Sequence, residues 1–163
     1  MDNHFELFQL PVRFDIDRDA LETRYTAMQK TIHPDRFAGA SLTQAKAQTM
    51  AALVNRAYLA LKNPLLRAEH MLALAGMAED VDHQTAHDPA FLGEQMMLRE
   101  ACEEATGHDE REALKRQLTE RFESLGARFA QLYEAPAKDI EALKSVTMQM
   151  HFFDKLVKSL ENA

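Results

Sequence analysis

The sequence predicts an all-α protein: an N-terminal helical hairpin with short flanking helices, followed by a C-terminal antiparallel three-helix bundle. Three observations predict it. Helix-favouring Ala, Leu, Met, Glu, Gln, Lys and Arg dominate the 163 residues, against 5 Gly, 5 Pro and few β-branched residues. Apolar residues, 46% of the chain, recur at three- and four-residue steps through long segments. Capping and breaking residues punctuate those segments at the spacing of ordinary helices. This apolar content supports a core and argues against wholesale disorder.

The first element, "FELFQLP", is a short apolar segment in which Phe5, Leu7, Phe8 and Leu10 end at Pro11. It reads as a small helix or turn packed on the helices after it. The second runs from Asp17 to Ile32, with Leu21, Tyr25, Met28 and Ile32 in one stripe. Asp17 is the expected N-cap, and Asp19 and Glu22 suit the positive end of the helix. Pro34 disfavours helical geometry at His33 and stops it there. The third starts at Ser41, where Ser41 and Gln44 match a capping box. Its stripe is Ala47, Met50, Ala51, Val54, Ala57, Tyr58 and Leu61, closed by "KNP" at 62–64. Two amphipathic helices joined by a short polar loop pack as a hairpin, with His33, Pro34 and Asp35 at its tip. "PLLRAEHMLALAG" adds a short helix with Pro64 at its start and Gly76 past its end.

Residues 77–88 have weak periodicity and many turn formers, and read as a linker between domains at 1–76 and 89–163. Three helices follow, at about 89–105, 109–134 and 137–161, separated by "TGHDER" and "EAPAKD". Asp109 and Glu112 resemble a second capping box. The middle helix carries Leu114, Leu118, Phe122, Leu125, Phe129 and Leu132 in one stripe. Gly126 weakens it by about 1 kcal/mol relative to Ala. Short loops between long helices imply an antiparallel bundle.

The formal net charge of −7 is unevenly spread: residues 36–75 carry five Lys/Arg against one acid, and residues 76–134 six against fourteen. That points to two surfaces with different partners and away from nucleic acid. The single cysteine, Cys102, allows no internal disulfide, and its place on a helix beside Phe91 and Leu98 reads as a buried, inert thiol. The start "MDNHFELF" lacks the pattern of a signal peptide, and the longest apolar run is far too short to span a bilayer. The expectation is a cytoplasmic protein that does not engage a membrane. No glycine-rich phosphate loop, nucleophile elbow, H-E-x-x-H or C-x-x-C is present. His83 and His87, flanked by Asp82 and Asp88, could share a metal on a helix. Their segment is loop-like and two further ligands are not apparent, so neither metal nor other cofactor is expected, and no catalytic role.

Helix 89–105 is more informative. At about 100° per residue, with Phe91 at the origin, Leu98, Cys102 and Ala105 cluster within about 40° as the core face. Leu92, Met96, Glu100 and Glu104 then fall near about 100°, 140°, 180° and 220°, with Gly93 and Met97 beside them. The side away from the core thus carries an apolar patch followed by acids. In the last helix the core stripe is Leu143, Val146, Met150, Phe153 and Val157, and Phe152 projects roughly 140° from its centre. Either another helix or domain covers Phe152, or it joins Leu92 and Met96 in a partner-binding patch rimmed by Glu100 and Glu104.

An amphipathic helix, His33-Pro34-Asp35, a loop and an antiparallel helix ending in "NRAYLALKNP" resemble a J-domain. "HFELFQLP", "HPDRF", "NPLLRAEHMLAL", "FLGEQMMLREACEE" and "FFDKL" together resemble the HscB-type J-protein co-chaperones of iron–sulfur cluster assembly. The resemblance spans essentially the whole chain, and no glycine/phenylalanine-rich linker or cysteine-rich module of the general kind is present. It implies an adaptor with no reaction of its own. The J-domain stimulates the ATPase of an HscA-like, DnaK-class chaperone, and the C-terminal bundle delivers an IscU-type scaffold. It assigns His33, Pro34 and Asp35 to chaperone stimulation, with Arg24, Lys30 and Arg36 steering the docking. It assigns Leu92, Met96, Glu100, Glu104 and Phe152 to the scaffold, and Met97 joins them as the residue that compensates for Gly93. Gly93 stands where the family commonly has a large apolar residue, and Met97 where it commonly has an acid. The alternative is a general J-protein for unfolded clients, against which the compact acidic bundle and the missing client-binding modules argue.

Overall fold

A computed structural model describes residues 2–33, 41–77 and 88–162 of the chain. Among them lie α1 (His4–Leu7), α2 (Arg18–Ile32), α3 (Ser41–Lys62), α4 (Pro64–Leu74), α5 (Pro89–Glu104), α6 (His108–Glu134) and α7 (Ile140–Glu161), with no strand in the described residues. They fall into two compact units, Met1–Leu74 and Ala75–Ala163.

In the first unit α2 starts where Asp17 Oδ1 accepts the Ala20 N–H at 3.0 Å, satisfying one of the orphan donors of the first turn. The Tyr58 hydroxyl donates to Glu22, and the Tyr25 hydroxyl to Asn55. Residue numbers rise on α2 as they fall on α3, so the two helices are antiparallel. Leu21, Val54, Ala57, Tyr58 and Leu61 are buried between them and the α4 side chains Leu65, Ala68, Met71 and Leu72. The expected stripe of α3 is buried at Ala47 and interrupted at Met50, and its partner stripe on α2 is less covered toward the hairpin tip. Met50 is 41% exposed, and Met28 and Ile32 are only half-buried. Residues 34–40 and the Ser41 side chain of the expected capping box lie outside the described residues.

Asn63 separates α3 from α4. Pro64 has no N–H to lose at a helix start, and Asn63 Oδ1 accepts the N–H groups of Leu65 (2.9 Å) and Leu66 (3.2 Å). Arg67 is buried behind this corner. Its Nη1 donates to the Leu61 carbonyl at 2.9 Å, and the guanidinium lies 4.7 Å from the centre of the Phe14 ring. Burial, with Arg18 adding repulsion, lowers its pKa to about 10, which leaves the group charged. The N-terminal turn is held from α2: Arg24 Nη1 donates to the carbonyls of Phe8 (2.9 Å) and Gln9 (2.7 Å).

In the second unit α6 and α7 run antiparallel, with Lys115 near the start of α6 3.0 Å from Glu161 at the end of α7. The helix α5 lies on the C-terminal half of α7. Phe91, Leu118, Phe152, Phe153, Leu156 and Leu160 form the core, and Leu98, Cys102, Leu114, Phe122 and Leu125 pack against it. Asp88 caps α5 and Asp139 caps α7 through their carboxylates. The capping box expected at Asp109 and Glu112 is not formed. The helix α6 begins one residue earlier, after Gly107 at φ 80°, which offers no side-chain cap. Glu110 reaches back instead, accepting the Thr106 N–H at 3.2 Å. Asp109 then sits in the first turn, where a carboxylate suits the positive helix end.

Candidate functional site

The hairpin tip is the first candidate. His33 is the C-cap of α2, with φ −58° and ψ 129°, so the backbone leaves the helix at this residue as expected before a proline. It is exposed. Pro34, Asp35 and Arg36 lie outside the described residues. His33, Lys30, Gln29 and Ile32 of α2 face Ala51, Val54 and Asn55 of α3 across an open groove of about 580 Å³. Lys30 is in the last turn of α2, where a cation suits the negative helix end. Arg24 has an engagement within the fold. Its guanidinium is engaged with two carbonyls of the N-terminal turn, so its role in the fold is to fasten that turn to the hairpin.

The second candidate is the outer face of α5. The core face expected from the helical wheel is observed: Phe91 and Ala105 are buried, and Leu98 and Cys102 half-buried. Burial and nearby Glu103 push the Cys102 thiol pKa up, the opposite of a nucleophile's requirement. On the other side Leu92, Met96 and Met97 are 51%, 65% and 72% exposed, and Glu100 and Glu104 are exposed beside them. One helix therefore presents three large apolar side chains and two carboxylates to water while its opposite face builds the core.

Of the two alternatives open to Phe152, the structure shows the first: a neighbouring helix covers it. The residue is 7% exposed and belongs to the core, edge-on to Phe91 (centroids 5.6 Å apart) and to Phe153 (5.3 Å). The physical reason is that α7 is covered from two sides. One side meets α6, and the side 140° away meets α5. A single-stripe reading suits a helix with one neighbour. The wheel also passed over Arg99, whose guanidinium lies 5.4 Å from the centre of the Phe152 ring. Its spacing, seven residues after Leu92, was the available signal, because residues at that spacing share a side. Arg121 anchors the other flank, 2.7 Å from Glu94 and 5.0 Å from the centre of the Phe153 ring.

Among the described residues no group of three or more His, Cys, Asp or Glu could hold a metal ion; His83 and His87 lie outside them. No described helix is long and apolar enough to cross a membrane.

Residues 87–161 match the family described as the HSCB C-terminal oligomerisation domain. The co-chaperone protein HscB homolog of Shewanella amazonensis is 38% identical over 173 aligned positions, covering 99% of this chain and 96% of its own. The co-chaperone protein HscB of Proteus mirabilis is 44% identical over 124 positions, covering 76% of this chain and 72% of its own. Among solved structures, chaperone HscB from Vibrio cholerae matches with a TM-score of 0.86 at 36% identity, over 98% of this chain and 96% of that one. Human co-chaperone protein HscB matches with a TM-score of 0.91 over 99% of this chain and 82% of that one; at 23% identity it speaks for the fold alone. With an exposed apolar and acidic face on α5, a histidine ending α2, and relatives that align along nearly its whole length, this chain belongs to the HscB co-chaperone family.

Proposed function

We propose that this chain is a cytoplasmic co-chaperone of iron–sulfur cluster assembly with two working faces. The His33-Pro34-Asp35 motif stimulates the ATPase of an HscA-like, DnaK-class chaperone, with Lys30 and Arg36 steering the approach. The face of α5 formed by Leu92, Met96, Met97, Glu100 and Glu104 binds an IscU-type scaffold. Phe152 serves that face as its floor, and Arg24 serves the hairpin. Joining the two binding events in one chain raises the effective concentration of scaffold at the chaperone. The chain carries out no reaction itself and takes neither nucleic acid nor membrane as ligand.

The observation that carries this reading is the exposure of Leu92, Met96 and Met97 on a helix whose opposite face packs on the core. A cluster of large apolar side chains left in water and rimmed by charge is the usual form of a protein-binding patch. The test measures the steady-state ATPase of the cognate chaperone with and without scaffold. His33→Gln should abolish stimulation and leave scaffold binding intact; Leu92→Ala with Met96→Ala should do the reverse. Unchanged stimulation by His33→Gln would remove the hairpin from the mechanism. Binding of denatured proteins in place of one scaffold would favour a general J-protein.

A further inference from the structure

Near the base of the hairpin, apolar side chains fix α2 on α3. Toward the tip they are smaller and less continuous: Ala47 is buried, but Met50 is exposed, Ile32 is half-buried and an open groove lies between the helices. What holds the last turns of α2 in place there is polar. Glu22, Tyr25, Gln29 and His33 are spaced by three, four and four residues, so they share one face of α2. Asn55, Tyr58 and Lys62 share one face of α3 by the same spacing.

The two faces meet as a seam. Tyr58 donates its hydroxyl to Glu22, and Lys62 Nζ lies 5.4 Å from the centre of the Tyr58 ring. Tyr25 stacks on Tyr58 with centroids 3.8 Å apart and planes 5° from parallel. The Tyr25 hydroxyl donates to Asn55 Oδ1 at 2.8 Å and accepts from Gln29 Nε2 at 2.7 Å. Gln29 is one turn below His33, and both line the groove together with Asn55. The two hydrogen bonds of the Tyr25 hydroxyl, being exposed, add little to stability. Their directional geometry nevertheless restricts how α2 rolls and slides on α3, which bulk packing at the tip does not.

We infer that Asn55 is a positioning residue: through the Tyr25 hydroxyl and Gln29 it sets the rotation and register of the last turn of α2, and so the place of His33. This rests on the reading that His33 acts on the chaperone. A change that lets the turn wander keeps the charges of Lys30 and Arg36, whose long-range steering tolerates small displacements, and misaligns the group that triggers hydrolysis. Such a defect lowers the maximal stimulated rate more than the concentration dependence.

The test titrates full-length variants into the cognate DnaK-class chaperone and ATP, with thermal melts on each. Asn55→Leu removes the acceptor at nearly the same size, and Tyr25→Phe removes the hydroxyl while keeping the ring stack. Both should lower the maximal stimulated rate severalfold with an unchanged half-stimulating concentration and unchanged scaffold binding. Asn55→Asp keeps the acceptor and should restore the rate. If Asn55→Leu fails to fold, Tyr25→Phe decides. Full maximal rates in both variants, or an Asn55→Asp as defective as Asn55→Leu, overturn the inference. His33→Gln run alongside separates the two levels. A dead His33→Gln beside fully active seam variants sinks this inference alone, and a fully active His33→Gln sinks the functional reading and the inference with it.

Discussion

The rings of Phe91 and Phe152 meet edge to face, with centroids 5.6 Å apart and planes at 82°. This contact joins α5 to α7 directly beneath the exposed face, and it separates residues that support that face from residues that form it. Phe152→Ala should destabilise the C-terminal unit by about 3–5 kcal/mol, the usual cost of deleting a buried phenylalanine. Leu92→Ala and Met96→Ala should each shift stability by no more than about 0.5 kcal/mol, as exposed positions do. Urea unfolding of the three single variants checks this. A Phe152→Ala protein of full stability would show that its ring is not part of the core.

Arg24 yields a second prediction. Its Nη1 reaches two carbonyls of the N-terminal turn, at 2.9 and 2.7 Å. Hydrogen bonds from a charged donor contribute about 1.5–3 kcal/mol, and the lower part of that range applies where water reaches the group. Arg24→Gln should therefore lower the melting temperature and speed amide exchange over residues 4–10. Its effect on chaperone stimulation should be small at temperatures where the variant stays folded. A loss of stimulation that high salt reproduces in the unaltered protein, with melting unchanged, would return Arg24 to the docking surface.

The all-α class, the hairpin, the bundle and the inward face of α5 were legible because each rests on local periodicity and on start and stop residues such as Asp17 and Pro64. For Phe152 the sequence left two alternatives open, because a helical wheel knows one helix at a time and α7 has two neighbours. The carbonyl bonds of Arg24 were not legible for a related reason. Its guanidinium bonds to carbonyls sixteen and fifteen residues earlier, and nothing in a charge pattern shows where a long side chain will reach. Gly107 was missed because a carboxylate spacing at Asp109 and Glu112 imitates a cap, whereas the helix start is set by a backbone angle.

The pair His4 and His70 makes the first unit sensitive to acid. His70 Nε2 accepts the backbone N–H of His4 at 3.0 Å, and the two rings stack 4.2 Å apart. An acceptor nitrogen carries no proton, so this bond requires neutral His70. Burial, with His4 adding repulsion, lowers the His70 pKa from 6.5 to about 4. Burial lowers that of His4 as well, with Asp2 opposing and Arg56 assisting. The unfolded chain then binds more protons than the folded one between these values, so stability falls as pH falls. The contribution is complete above pH 6.5, declines below it, and is lost once pH has dropped through about 4. In urea unfolding from pH 7 to 4, the His70→Gln variant, whose amide oxygen can accept the same N–H, should show a shallower decline than the unaltered protein. Parallel declines would mean the pair contributes nothing to acid sensitivity.

Two glycines should answer the same substitution with opposite signs. A Cβ added at either Gly93 or Gly107 would meet nothing within 4 Å, so neither sign comes from a clash. Gly93 lies inside α5, where glycine costs roughly 0.5–1 kcal/mol relative to alanine because the unfolded chain has more freedom to lose. Gly93→Ala should raise stability by about that amount. Gly107 sits at φ 80° before α6, where a Cβ crowds its own backbone, and Gly107→Ala should cost roughly 1–2 kcal/mol. Equal shifts in the two urea midpoints would contradict the backbone argument. Gly93 also leaves a notch between the exposed Leu92 and Met97 side chains. If the scaffold lies flat on this face, Gly93→Leu should bind it more tightly by enlarging the apolar area. Weaker binding by that variant, with the helix intact, would mean that a group of the partner fills the notch.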